Sequence, residues 1–327
     1  MTLVLREADV RSVLTMSDCI SWLEESFKAY AAGEARNLPR ARVRHPSGVL
    51  HVLPAADLSV GAIGLKCYTS GRGGTRFLVV LSSSTSGELL ALLEADYLGQ
   101  VRTGAASGLA TKYMARPDAR RAGIYGTGSQ ARTQLAAVAA VRKLESATAW
   151  SRDASRRARF CKEASEELGI PVRPAEAPEQ AARGQDVVIT ITTARDPVLH
   201  GEWLEPGTHV NAAGSNSLLR REIDDAAVQR ADRIVIDSRA QGRLECGDLF
   251  GPAERGLIDW EQLVELQEVV AEPSRGRGGP REITLFESLG LGLEDVTVAM
   301  RVYERVLARG LGQQVELFAD VRPREGR

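Results

Sequence analysis

The sequence predicts an α/β protein: a central Rossmann-type doubly wound parallel sheet, plus an α+β domain formed by the N-terminal part and the C-terminal helix. Three observations carry this expectation. Residues 121–132, RAGIYGTGSQAR, run an apolar strand into a turn with Gly126 and Gly128, then open a helical pattern through Leu135, Val138 and Val141. From residue 122 onward, short apolar β-branched runs alternate with helical patterns, which argues for a parallel sheet covered on both faces. With 327 residues, 43% hydrophobic and 26% charged, the chain is long enough for two domains that each bury a core.

In chain order, residues 2–5 read as a strand, and Ser17 or Asp18 can cap a helix whose Ile20, Leu23, Phe27 and Tyr30 share one face. Residues 38–55, LPRARVRHPSGVLHVLPA, place Arg40, Arg42 and Arg44 at alternate positions, on one face of a strand, before a β-like run at 49–53. Lys66 follows apolar residues in IGLKCYTS; alternation sends Cys67 to the opposite face, where it reads as core. Residues 76–83 and 89–93 form a hairpin around Ser86-Gly87. Asp96 can cap the small-residue helix that follows, which stripes Val101, Ala105, Leu109 and Tyr113 and carries Arg102 near its start. An arginine buried there must meet an anion.

The alternating region then gives strands at 122–125, 147–150, 172–174, 187–191, 208–213 and 233–237. Helices fill the intervals to about Lys143 and Leu168 and around 178–183. Residues 273–281, PSRGRGGPR, read as a flexible loop, followed by a strand at 283–285 and a helix at 295–307 that crosses back to the N-terminal half.

Bulk properties exclude several function classes. A net charge of −1 and a pI near 6.5 give no field toward nucleic acid or anionic lipid, and no run of 18 apolar residues can span a membrane. The partner expected is a small molecule. Cys19, Cys67, Cys161 and Cys246 lack CxxC spacing, so no metal site and no disulfide framework is expected. The charged N-terminus is not a signal peptide, and the location expected is the cytoplasm. His209, inside an apolar strand, reads as core and His200 as loop surface; neither is given a role.

The glycine turn is the dinucleotide signal. In GTGSQA the first glycine permits the tight turn, the second lets a pyrophosphate approach the backbone, and a small third residue lets helix and strand pack closely. Gly126, Thr127, Gly128, Ser129, Gln130 and Ala131 are therefore cofactor-binding candidates. At the end of the second strand, where an acidic residue would bond the ribose hydroxyl of NAD, the chain reads Trp150-Ser151-Arg152, with Arg156 and Arg157 one turn further. A hydroxyl and arginine forks suit a 2′-phosphate, so Ser151, Arg152 and Arg156 predict NADP(H), with nearby Asp153 as the opposing sign.

Together these pieces resemble the ornithine cyclodeaminase/mu-crystallin family. The resemblance rests on Pro39-Arg40, LHVLPA at 50–55, GLK ending at Lys66, SGELLALLEAD at 86–96, VRTGAAS at 101–107 and GTGSQA at 126–131. It continues through GEWLEPGTHVNAAGS at 201–215 and TLFESLGLGLED at 284–295. It implies a substrate-binding and dimerisation domain at 1–117, completed by 300–327, and an NADP(H)-binding Rossmann domain at 118–299, with catalysis in the cleft between them. It also implies a homodimer, hydride transfer at the α-carbon of α-amino or α-imino carboxylates, and a cationic trio around the substrate: Arg40, Lys66 and Arg102, with Arg42 as the alternative to Arg40. Asp295 would hold Lys66 or another cation. Thr103, Thr192 and Ser288 are added cofactor-binding candidates. Glu294 reads as a helix N-terminal charge favoured by the dipole.

One position departs from the family pattern. Asn216 stands where the cyclodeaminases carry a proton-handling aspartate, and an amide cannot shuttle a proton at neutral pH. Asn216 is thus expected to orient substrate or nicotinamide. The reading favoured is NADPH-dependent reduction of a cyclic or linear α-imino carboxylate. Alternatives are an amino-acid dehydrogenase or ornithine/lysine cyclodeaminase, and a non-catalytic NADPH-dependent binding protein of mu-crystallin type.

Overall fold

The computed structural model of the chain describes residues 1–71 and 74–318. Two sheets organise it. In the second, the strands lie in the order Val172–Pro174, Ser146–Trp150, Arg121–Tyr125, Val187–Thr190, His209–Ala212, Thr284–Glu287, Arg233–Ile236 and Val264–Glu265, and every pairing is parallel. The glycine turn follows the strand where the order reverses, the switch point at which open α/β sheets leave a crevice at their carboxyl ends. Helices Ala131–Val141 and Ala154–Leu168 connect the first three strands in sequence.

The first sheet is mixed. Strand Thr2–Leu5 lies between Leu89–Glu94, parallel to it, and Gln313–Val315, antiparallel to it. Arg76–Ser83, Ala62–Gly71, Gly48–Asp57 and Ala35–Asn37 continue the sheet antiparallel, and Ala41–His45 also pairs with Gly48–Asp57. Helix Gly292–Ala308 packs on the central strands of this sheet and on helices Met16–Ala31 and Asp96–Met114. Leu23, Phe27, Leu98, Leu109, Val296 and Val302 close the shared core. The last nine residues of the segment 300–327, expected to complete the N-terminal unit, lie outside the described residues.

Several local expectations are corrected. Thr15, not Ser17 or Asp18, caps helix Met16–Ala31, its hydroxyl accepting from the Asp18 N–H. Ala95 precedes helix Asp96–Met114 without a side-chain cap, so Asp96 contributes as a first-turn anion instead. The helix at 178–183 is a single 3-10 turn, Pro178–Ala181, and the C-terminal helix begins earlier than residue 295, at Gly292. The PSRGRGGPR loop is pinned: Arg277 donates to the carbonyls of Met114 and Glu282 and to the Thr284 hydroxyl. Cys67 is half-buried, on a sheet face shared with Leu78 and exposed Ile63, because among the described residues no layer covers that side.

Candidate active site

At the carboxyl ends of the parallel strands lies a cleft of about 440 Å³. Gly126, at φ 105°, makes the turn into it; a side chain there would be strained and would strike the Ile191 carbonyl. A Cβ added at Gly128 would meet nothing, so the backbone is open to a close-approaching group. Helix Ala131–Val141 starts behind Gln130 with no side-chain cap; the Ala131 N–H turns back to the Gly128 carbonyl at 3.1 Å, which leaves the Arg132 and Thr133 N–H groups of the first turn for an anion. The residues present thus fit a dinucleotide pyrophosphate.

Of the predicted cofactor residues, Gly126, Thr127, Gly128, Ser129, Gln130, Ser151, Arg152, Arg156 and Thr192 line this cleft, together with Asn216. The Thr127 hydroxyl is 2.9 Å from that of Ser151, joining glycine turn and second-strand end. Asp153 is engaged as the cap of helix Ala154–Leu168, accepting from the Arg156 N–H at 2.9 Å. Arg157 turns inward, over the Trp150 ring and onto the Ser151 carbonyl. Ala131, Thr103 and Ser288 are not among the lining residues. Ala131 is buried at the helix start, Thr103 bonds back to the Gly99 carbonyl, and the Ser288 hydroxyl is buried with no hydrogen-bond partner.

The predicted cations converge elsewhere, where helices Asp96–Met114 and Gly292–Ala308 meet the first sheet. Arg40, Lys66 and Arg102 are 7%, 3% and 5% exposed, too dry for any of them to stand alone. Lys66 Nζ lies 2.9 and 2.8 Å from the two Asp295 oxygens. Arg102 donates through Nε to Asp295 at 2.9 Å and through Nη1 to Glu294 at 2.6 Å. Arg40 donates to the Leu289 and Gly290 carbonyls and lies 3.7 Å from Glu245, which also pairs with Arg42. Gly290 is required here: at φ 78°, any Cβ would sit 2.6 Å from Arg102 Nη1.

These contacts connect the cluster to the cleft. Arg42 donates to the Asn216 carbonyl at 2.8 Å, and the Asn216 side-chain oxygen accepts from Arg220. Four cations (Arg40, Arg42, Lys66, Arg102) meet three carboxylates (Glu245, Glu294, Asp295), so the ion-pair network carries one formal positive charge in excess.

Electrostatics divide the roles. Burial, and then the Arg102 charge, push Lys66 down to about 7 against the pull of Asp295. Burial also opposes the charge on Arg102, but Asp295 and Glu294 outweigh it and hold the guanidinium charged. Lys66 is therefore poised to exchange a proton near neutrality, whereas Arg102 stays charged. Glu294, expected as an ordinary helix-terminal charge, is fully buried and paired with Arg102. Sequence reasoning also missed Glu245 and Glu222; only tertiary packing reveals their partners. His209 is buried between Thr284 and Asn211, and His200 pairs with Asp224 at the surface.

The sequence profile of the ornithine cyclodeaminase/mu-crystallin family matches residues 1–310. The chain belongs to this family. A Δ1-pyrroline-2-carboxylate reductase of Bacillus cereus is 33% identical over 327 residues, 96% of this chain and 99% of that protein. The solved structure of Thermococcus litoralis Δ1-pyrroline-2-carboxylate reductase in complex with NADH and L-proline superposes with a TM-score of 0.92 at 35% identity, covering 96% of this chain and all of that one. An archaeal alanine dehydrogenase dimer with bound NAD reaches 0.91 at 34% identity, covering 97% and 99%. Membership and these likenesses make the chain an oxidoreductase acting on C–N bonds with a nicotinamide cofactor. Among the described residues no helix is long and apolar enough to cross a membrane, and no group of histidine, cysteine or acidic residues is arranged to hold a metal ion.

Proposed function

We propose that the protein reduces the C=N bond of a cyclic or linear α-imino carboxylate to the amino acid, with NADPH as reductant. The observation that carries this reading is Lys66, buried, held by Asp295, and poised near neutral pH beside two arginines. Arg40 and Arg102 take the substrate carboxylate, a bidentate task suited to guanidinium groups, and so fix the α-carbon. Arg40 is preferred to Arg42 because it is buried beside Gly290 while Arg42 lies at the rim on Asn216. Lys66 Nζ gives the imine nitrogen its proton, and Asp295 orients the ammonium. Asn216 orients what lies between cleft and cluster. The dinucleotide, held by the glycine turn and the strand-end hydroxyls, supplies the hydride.

The preference for the phosphorylated cofactor is supported by Arg152 and Arg156, exposed at the cleft, and by Asp153, whose carboxylate is occupied as a helix cap. A two-unit organisation, with residues 1–117 and the C-terminal segment binding substrate and 118–299 binding cofactor, is supported by the two sheets, although a boundary at residue 299 falls inside helix Gly292–Ala308, which packs with the first sheet. We take the molecule to be a homodimer: Val43, Ile63 and Leu78, 62%, 45% and 36% exposed, share one uncovered face of the first sheet. Four unpaired cysteines agree with a reducing, cytoplasmic setting.

The test is steady-state oxidation of NADPH with pyrroline-2-carboxylate, piperideine-2-carboxylate, and pyruvate plus amines. Turnover of at least one supports the reading, and turnover of none overturns it. Oxidative deamination is the second reading, because Lys66 near neutrality can also accept a proton. Ammonia release from an amino acid with stoichiometric NADP⁺ reduction would establish it.

A further inference from the structure

We propose that Glu222 is a positioning residue for the dinucleotide, its buried carboxylate tying together two strand-end loops that line the cofactor cleft. This rests on the dinucleotide reading of that cleft. Glu222 is fully buried and far in sequence from the glycine turn. Its Oε1 accepts from the Thr192 N–H, and its Oε2 accepts from the Gly214 N–H at 2.7 Å and the Thr190 hydroxyl at 2.9 Å. Thr192 follows strand Val187–Thr190 and Gly214 follows strand His209–Ala212; both residues line the cleft. One side chain therefore sets the separation of two adjacent loops.

The fit around it is tight. A Cβ at Gly214 would sit 2.6 Å from Glu222 Oε1 and 2.4 Å from the Thr192 carbonyl, so Gly214 is the residue that lets the two loops close on the carboxylate. Glu222 is itself fixed from behind: its N–H and that of Ile223 donate to Asp248, and its carbonyl accepts from Val198 and Leu199. Among the described residues no arginine, lysine or histidine pairs with Glu222, so donors rather than a counter-charge sustain it. Burial and the facing Asp248 carboxylate oppose its ionisation. A buried acidic group kept without a cation costs stability, and here the donors of the two cleft loops, which an apolar residue would leave unpaired, offset that cost.

The donor pattern discriminates between side chains. Both oxygens face backbone N–H groups, so an amide at this position must aim its own N–H₂ at one of them in either orientation. Glu222→Gln is thus isosteric but wrongly equipped: one loop loses its anchor while the packing is kept.

The experiment measures NADPH binding by nucleotide fluorescence, and steady-state kinetics with the imine that supports turnover, for the wild type, Glu222→Gln, Thr190→Val and Asp57→Asn. Asp57 is a fully buried carboxylate of the first sheet, bonded to Ser26 and Thr297, and none of the three lines the cleft. Expected for Glu222→Gln is a rise of about tenfold in both Kd and KM for NADPH, with kcat at saturating NADPH and KM for the imine within about twofold of wild type. Thr190→Val shifts the same two constants less, and Asp57→Asn lowers the melting temperature without moving them. NADPH constants unchanged in both Glu222→Gln and Thr190→Val, or kcat and imine KM moving as much as the NADPH constants, would overturn the proposal. A wild-type protein that binds neither NADPH nor NADH would instead remove the dinucleotide reading beneath it.

Discussion

Asp295, in the first turn of helix Gly292–Ala308, accepts through Oδ1 from both Lys66 Nζ and Arg102 Nε, each at 2.9 Å. One carboxylate thus restrains two cations of unequal character, an arginine that stays charged and a lysine brought down to about 7. The difference sets the first expectation. Below pH 7 Lys66 is protonated and able to give a proton; above it the donor form is depleted. Once the titration of the imine itself is divided out, kcat/KM for reduction should be flat below about pH 7 and fall about tenfold per unit above it. Oxidation of the amino acid should rise over the same interval. Lys66→Met should lose about 10²- to 10⁴-fold in kcat and abolish that limb. A profile unchanged in Lys66→Met would remove the lysine from the proton transfer.

Arg102 has a structural duty beside the binding one proposed for it. Replacing it by methionine strands Glu294 and Asp295 as buried, poorly compensated carboxylates, and removing one partner of such a pair costs about 3–5 kcal/mol. Arg102→Met should therefore lower the thermal transition strongly. The double variant Arg102→Met, Glu294→Gln should recover part of the loss, since it removes one orphaned charge. Calorimetry of the four-member cycle measures the coupling; simple additivity would contradict the buried pair.

Arg40 and Arg42 separate by depth. Arg40→Ala should raise KM for the imine about 10- to 100-fold, the loss of a charged hydrogen-bonding partner. Arg42→Ala, at the rim, should change it less than fivefold. The reverse order in a KM comparison would transfer the carboxylate to Arg42.

At the far end of the cleft, Arg152→Ala should reduce kcat/KM with NADPH about tenfold while leaving that with NADH within about twofold, because only the former carries a 2′-phosphate. Equal losses with both cofactors, or a wild-type enzyme that prefers NADH, would assign Arg152 to the surface.

His209 makes a prediction about acid stability. Burial first, and then nearby Arg277, hold its folded-state value down to about 3, below the ordinary 6.5. Between those values the unfolded chain binds a proton that the folded chain refuses, so stability falls as pH drops from 6.5 toward 3. Denaturant midpoints should decline over that range in the wild type and less steeply in His209→Gln.

The sequence made legible whatever is local or periodic. The Gly126 turn, the strand-helix alternation and the Arg40, Lys66 and Arg102 positions lie in contiguous patterns, and the structure joins these cations through Asp295, Glu294 and Gly290. What stayed hidden depends on packing between distant segments. Glu245 sits in a short helix with the appearance of a surface charge until Arg40 and Arg42 close on it. Cys67 was expected to be core because alternation tells which residues oppose Lys66 but not whether another layer lies beyond them. Thr103 and Ser288 sit in stretches the family resemblance covers, yet neither side chain reaches the cleft walls, since backbone bonding and burial claim them first.

The placement of Asp295 so late in the chain has a consequence for biosynthesis. A polypeptide emerging from the ribosome exposes its dinucleotide turn by residue 131, but Glu294 and Asp295 appear only some 160 residues afterwards. Until then Lys66 and Arg102 have neither of those anions. Shortened translation products ending before helix Gly292–Ala308 would carry the glycine turn without Glu294 and Asp295, so the charges of Lys66 and Arg102 are matched only once the last long helix has docked.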